Sequence, residues 1–312
     1  MSKYEANIVV IGAGSAGLVS AYIAAAVKAR VILIERHKMG GDCLNTGCVP
    51  SKALLRSAKI ADYLHRAEEF GMEAVPVRPV FSKVLKRVHR VIADIEPHDS
   101  VERYTELGVE CVSGEAQIID AHTVRVGERS ITTRSIIIAA GARPFVPPIE
   151  GLDQINYLTS DNVWELQQQP RRLVVLGGGP IGCELSQAFA KLGSEVTVVE
   201  MLDQLMGRED SDVAEHIAAT FEKSGIRVLS GHKAVRVSSQ GERVLHCESD
   251  SGSVEVPFDE ILVAVGRKAN SDGMNLDQLG IDLRPNGTIE TDDYLRTAVP
   301  NIFACGDIAG PY

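Results

Sequence analysis

The segment NIVVIGAGSAGL, Asn7–Leu18, decides the fold. Asn7–Ile11 is an apolar, β-branched run of the kind that fills a buried parallel strand. Gly12, Gly14 and Gly17 follow at once in the spacing G-x-G-x-x-G, and Leu18–Ala29 reads as a helix of small residues. A second strand, Val31–Ile34, ends in Glu35. A tight turn alone would also use glycine. The flanking strand, helix and acid are what a dinucleotide site requires. There the glycines let the backbone approach a pyrophosphate, the helix start faces its charge, and the acid accepts from a ribose hydroxyl.

The pattern returns in RLVVLGGGPIGC, Arg172–Cys183. Arg172–Leu176 is the strand, Gly177, Gly179 and Gly182 form the turn, Cys183–Leu192 is the helix, and Glu195–Val199 leads to Glu200. Between the copies, Ser51–Glu69 and Phe81–Ile95 carry helical periodicity, and Ser135–Ala140 is a strand broken by the proline-rich segment from Gly141 to Pro148. Glu260–Val265 and Ile302–Ala304 are late strands, the last leading into Gly306-Asp307. The expected fold is α/β with two Rossmann-like dinucleotide-binding domains, the second inserted in the first. Residues 1–147 and 268–312 form one domain and residues 148–267 the other. Glu200 favours a free 2′-hydroxyl over a 2′-phosphate, and the first arginine after it is Arg208, so NADH is preferred over NADPH.

The 312 residues carry a net charge of −10 with no basic run, which argues against a nucleic-acid partner. No apolar run is long enough to span a membrane, and the N-terminus lacks the form of a secretory signal. A cytoplasmic location is expected, where six cysteines are a poor structural disulfide framework.

Two of those cysteines stand in GGDCLNTGCVPSKALL, Gly40–Leu55. The C-x₄-C pair could be half of a zinc site, but no second Cys or His pair stands at zinc spacing, so no metal site is expected. With two dinucleotide domains around it, this motif resembles that of the class I pyridine nucleotide-disulfide oxidoreductases, the relatives of dihydrolipoamide dehydrogenase, glutathione reductase and mercuric reductase. The match G-G-x-C-x-N-x-G-C-V-P-S-K runs from Gly40 to Lys52, and the resemblance extends over essentially the whole chain.

The resemblance implies electron transfer from NAD(P)H through FAD to a redox-active disulfide, Cys43–Cys48, and on to a small disulfide, dithiol or metal-ion substrate. Cys48 would lie nearest the flavin and Cys43 would meet substrate. A thiolate is favoured at a helix start, where Pro50 also fits. Lys52 would stabilise charge on the reduced flavin, with Glu184 as partner to a buried lysine. FAD would be held by Gly12, Gly14, Gly17 and Glu35, with Gly306-Asp307 at its ribityl chain and Ala116 at its adenine. NAD would lie at Gly177–Gly182, Glu200 and Gly266. Further cofactor contacts are implied for Ser15, Ala16, Arg36, Gly41, Asp42, Ala140 and Gly141. On the same ground they extend to Pro180, Ile181, Val235 and Arg267. Cys111, Cys183, Cys247 and Cys305 read as small core residues.

The sequence departs from the family pattern in places. Asp42 stands where relatives have Thr, and is expected to face away or cap backbone. Ala140 replaces a frequent Thr. Pro180 replaces an aromatic lid, which would leave nicotinamide access more open. No histidine has a glutamate five residues on, the spacing of the family's general base. GDIAGPY therefore reads as a cut before the C-terminal interface domain, in a parent expected to be a homodimer, with the fragment limited to the reductive half-reaction. Low-molecular-weight thioredoxin reductases have a similar length, but their C-x-x-C motif is absent here. A flavin- and NAD-binding protein with a signalling role is the remaining alternative, disfavoured by the intact Cys43–Cys48–Lys52–Glu184 set.

Overall fold

A computed structural model describes residues 3–73 and 78–310; the terminal Pro311-Tyr312 of the segment read as a cut lies outside them. Along the chain, β1 (Ala6–Ile11), α1 (Ser15–Ala26) and β2 (Val31–Glu35) are followed by α2 (Gly41–Asn45), α3 (Cys48–His65), α4 (Phe81–Ile95) and α5 (Val101–Glu106). Next come β3 (Val109–Ser113), β4 (Ala116–Asp120), β5 (Thr123–Val126), β6 (Arg129–Ile138) and β7 (Ala142–Pro144). The second half holds β8 (Arg172–Leu176), α6 (Pro180–Lys191), β9 (Glu195–Val199), α7 (Ser211–Lys223) and β10 (Arg227–Leu229). It closes with β11 (Lys233–Ser238), β12 (Val244–Ser249), β13 (Gly252–Pro257), β14 (Glu260–Val263), β15 (Arg267–Ala269) and β16 (Ile302–Ala304).

The chain forms two compact units. Unit 1 comprises Met1–Asn45, Ile92–Arg143 and Arg267–Tyr312. Its parallel strands run β3-β2-β1-β6-β16, and the first half of the long β6 turns away to pair antiparallel with β5, which pairs with β4. Unit 2 comprises Thr46–Val91 and Pro144–Gly266. It repeats the plan, with parallel strands β10-β9-β8-β14 and an antiparallel sheet β11-β12-β13. This is the α/β architecture with two Rossmann-like domains that the two glycine turns imply.

Element limits moved where turn chemistry intervened. Helix α1 begins at Ser15, directly after the glycine turn, and stops before Ala29 because Lys28 takes a left-handed conformation with φ of 65°. Helix α6 begins at Pro180, whose ring suits a first helical position and whose missing N–H costs nothing there. The helix expected over Ser51–Glu69 starts three residues earlier, at Cys48, and ends at His65, after which Ala67–Phe70 tightens to a 3₁₀ turn. Strand β6 extends back to Arg129 because its early residues alternate and pair with β5. Cys183 and Cys247 are core residues as read, while Cys111 and Cys305 are only half-buried.

The two glycine turns correspond residue by residue with an offset of 165 residues. Gly12 and Gly177 have φ of 102° and 101°. A Cβ on Gly17 would lie 1.8 Å from the Gly12 carbonyl oxygen, and one on Gly182 would lie 2.0 Å from that of Gly177. Each helix thus starts with its backbone pressed on the turn that precedes it, a distance no side chain permits.

Gly182→Ala is therefore expected to lower unfolding free energy by about 3 kcal/mol or more, since backbone must move. Gly225→Ala, at a φ of 73° with nothing within 4 Å, should cost about 1 kcal/mol. Urea unfolding of the two variants checks the contrast.

Candidate functional site

In unit 1 four glycines converge. Gly41 has φ of 55°, and a Cβ there would lie 2.5 Å from the Gly14 Cα. The Gly40 N–H donates to the Ala13 carbonyl at 2.9 Å. A Cβ on Gly306, whose φ is 79°, would lie 3.0 Å from the Ala16 Cβ. The segment preceding the cysteines and the Gly306-Asp307 turn thus both meet the start of α1. Ser15, Ala16 and Gly17 form its first turn, which has no side-chain cap and no acid. Open N–H groups over side-chain-free backbone fit an anionic pyrophosphate. Glu35 closes the turn: one carboxylate oxygen accepts the Ala13 N–H at 2.7 Å, the other the His37 N–H at 2.8 Å.

Unit 2 repeats this bond for bond. Glu200 accepts the Gly178 N–H at 2.6 Å and the Leu202 N–H at 2.8 Å. Gly179 caps α6 without a side-chain bond. Pro180 stands where Ser15 does, so this helix start offers one N–H fewer. Ile181 follows in the first turn, and Gly266, with φ of 151°, sits exposed after β14. Val235 is the extra residue in a bulge of β11, between the paired Ala234 and Arg236, which leaves its backbone outside the ladder.

The redox candidates lie at the first turns of two helices. Cys43 is half-buried in α2, and Cys48 is the exposed first residue of α3. Pro50 is its third residue, still within the turn whose N–H groups have no helical acceptor. Lys52 Nζ donates to both carboxylate oxygens of Glu184, at 2.5 and 2.7 Å. The lysine expected to be buried is instead 60% exposed, and Glu184 39%. At the far end of the same two helices the charges are reversed: Lys191 of α6 faces Asp62 of α3 at 3.4 Å. The two pairs make α3 and α6 parallel, so Cys48 and the second glycine turn share one end of unit 2. Helix α4 locks the pair. Arg87 donates to the Ala53 carbonyl at 2.7 Å, and the rings of Phe81 and Phe189 are 5.8 Å apart.

The remaining expected residues fall in unit 1. Ala116 opens β4 and is buried, while Arg36 faces Glu115 at 3.6 Å. Ala140 and Gly141 follow β6, and their carbonyls are bonded by the side chain and N–H of Asn270. Asp42 does not simply turn away or cap backbone. It accepts from Arg267, whose Nε lies 3.5 Å from Asp307 and whose guanidinium also donates to the Ala142 carbonyl. One arginine thus balances both Asp42 and Asp307. Sequence reasoning did not find that clamp, nor the Asp62–Lys191 pair, nor the hydrogen bond from Trp164 to Thr46. Only the first two carried any signal, as opposite charges in separate segments.

Comparison with known proteins now bears on this geometry. The family model for pyridine nucleotide-disulphide oxidoreductases matches residues 6–312. The chain belongs to this family. Among curated relatives of this oxidoreductase family, a mercuric reductase of Bacillus cereus is 34% identical over 311 residues, 99% of this chain and 49% of that protein. A dihydrolipoyl dehydrogenase of Bacillus subtilis is 34% identical over 311 residues, 97% of this chain and 67% of that protein. The HOCl-induced flavoprotein disulfide reductase RclA from Escherichia coli aligns with a TM-score of 0.85 and 28% identity, over 98% of this chain and 67% of that one. The chain spans about half the length of the first curated relatives it matches. Among the described residues, no helix is long and apolar enough to cross a membrane.

Two measurements follow. Burial pushes the thiols of Cys183 and Cys247 up to about 11, so at pH 8 only about one in a thousand is thiolate. Iodoacetamide should modify exposed Cys48 at least tenfold faster than either in the folded, reduced protein, and urea should abolish the difference. Glu184→Gln removes an exposed ion pair and should change unfolding free energy by less than about 1 kcal/mol.

Proposed function

We propose that this protein is a FAD-dependent NAD(P)H oxidoreductase that reduces a disulfide, dithiol-linked or metal-ion substrate through Cys43 and Cys48. Residues 1–147 and 268–312 would bind FAD, and residues 148–267 NAD(H). The observation that carries this reading is the parallel α3–α6 pair. It sets Cys48, the Lys52–Glu184 ion pair and the second glycine turn at one end of unit 2.

Bound FAD would supply the two-electron carrier between nicotinamide and the cysteines. The chain's own residues do the rest. The first turn of α1 and Gly41 would receive the FAD pyrophosphate, and Arg267 holds the charge of Asp42 and Asp307 in check. Glu35 and Glu200, each fixed through both oxygens, present their remaining lone pairs to ribose hydroxyls. Glu200 disfavours a 2′-phosphate, which supports NADH over NADPH. Cys48 opens α3, in the turn whose N–H groups have no helical acceptor. Glu184 orients the Lys52 ammonium, a positive charge placed to hold negative charge on the reduced carrier. The mercuric reductase and dihydrolipoyl dehydrogenase relatives support a metal-ion or a dithiol–disulfide substrate, and the site residues described serve both.

Anaerobic NADH titration of the protein reconstituted with FAD tests this. The flavin absorbance should bleach and a long-wavelength thiolate–flavin band should rise. Cys48→Ser should retain the bleaching and lose that band. Failure to bind FAD, or a band unchanged in Cys48→Ser, would sink the proposal. NADPH should bind at least tenfold more weakly than NADH, and Glu200→Ala should narrow that gap.

A further inference from the structure

Trp164 lies in a 3₁₀ turn, Val163–Glu165, of unit 2 and is 4% exposed. Its indole N–H is shared between two carbonyls, Ser160 O at 2.7 Å and Thr46 O at 2.9 Å. Thr46 stands between the two cysteines, two residues before Cys48. The Trp164 backbone is held as well: His89 of α4 bonds its carbonyl through Nε2 at 3.0 Å. The surrounding loop is stiffened by Asn162, which accepts the Thr159 N–H at 2.7 Å and donates to the Tyr157 carbonyl at 3.1 Å.

We propose that Trp164 is a positioning residue that restrains the turn between Cys43 and Cys48 and so biases the pair toward disulfide closure. This rests on the reading of those cysteines as a redox pair. A buried indole N–H needs an acceptor, and Ser160 alone would have provided one. Its second acceptor is the middle of the turn. The peptide is planar and trans, so fixing the Thr46 carbonyl also fixes the Gly47 N–H on the opposite side. Gly47 caps α3 with φ of −114° and ψ of −107°, and Cys48 follows it directly. The bond therefore sets the direction from which Cys48 enters its helix. In the open dithiol the intervening residues gain freedom, and a tether on Thr46 limits that gain. The effective concentration of one sulfur at the other rises, which favours closure.

Equilibration with dithiothreitol reads this directly. A reagent thiolate attacks one sulfur of the protein disulfide, and a mixed disulfide forms. The second reagent thiol then displaces the protein sulfur. The protein S–S bond is broken and one forms in the cyclic reagent, and two electrons and two protons pass to the protein. Acid quenching, alkylation and peptide mass give the fraction of Cys43–Cys48 oxidised. Trp164→Phe keeps a buried ring and removes the donor. Its equilibrium should shift toward the dithiol by about three- to tenfold. Replacing the indole by isosteric benzothiophene, which alters one position because the chain has a single tryptophan, should shift it in the same direction if the phenylalanine variant does not fold. An equilibrium within twofold of wild type in a folded variant, even with a lower melting temperature, would overturn the proposal and leave Trp164 as core filling. Wild-type protein that forms no Cys43–Cys48 disulfide under any ratio of reagent would instead bring down the redox-pair reading and this inference together.

Discussion

Everything that positions the site rests on two places where backbone touches backbone. At Gly17 against the Gly12 carbonyl, and at Gly182 against that of Gly177, a helix start lies so close to a strand end that no Cβ fits. That approach aims the uncapped first turn of each helix along the carboxyl edge of its parallel sheet. It also forces the acid at the next strand end to complete the turn, since Glu35 and Glu200 bond the N–H of Ala13 and Gly178. A helix start without a side-chain cap would leave polar groups unmet in a compact fold. Here those groups are the feature that suits an anionic cofactor, and the strain of a positive φ at Gly12 and Gly177 is confined to residues that carry none of it as side-chain clash.

The second organising contact is between α3 and α6. Apolar residues of α3 such as Ala53, Leu54 and Ala58 are buried, and charge pairs of opposite sense stand at the two ends. Reversing either helix would bring Lys52 opposite Lys191, and Asp62 opposite Glu184. The pairs are exposed or partly so and contribute little to stability. Their role is register and polarity, with burial supplying the energy. The helix that begins with Cys48 is by this means a member of unit 2, although Cys43, five residues earlier, belongs to unit 1.

The sequence was legible where a residue type has one physical use. Glycine at 12, 17, 177 and 182, the acids at 35 and 200, and the apolar strands between them could be read as a duplicated turn because each answers a steric or hydrogen-bonding need local to the chain. Helix limits were less legible. A lysine in a left-handed conformation at Lys28 and a helix opening at Cys48 depend on neighbours that no short window contains. The clamp of Arg267 on Asp42 and Asp307 joins three distant segments, so Asp42 alone suggested only repulsion and an escape from it. The exposure of Lys52 could not be read from its spacing either. A backbone acceptor such as Thr46 has no sequence signature at all, and nothing in the sequence singles out Trp164.

The single indole has a practical consequence. Tryptophan emission is sensitive to polarity and to hydrogen bonding at the ring nitrogen, and a chain with one tryptophan gives an unmixed signal. Here that ring is buried, bonded to the stretch of chain between the two thiols, and alone in the spectrum. The molecule therefore carries its own optical gauge, built in beside the sulfur atoms, through which movement of that stretch can be followed in solution without attaching a label.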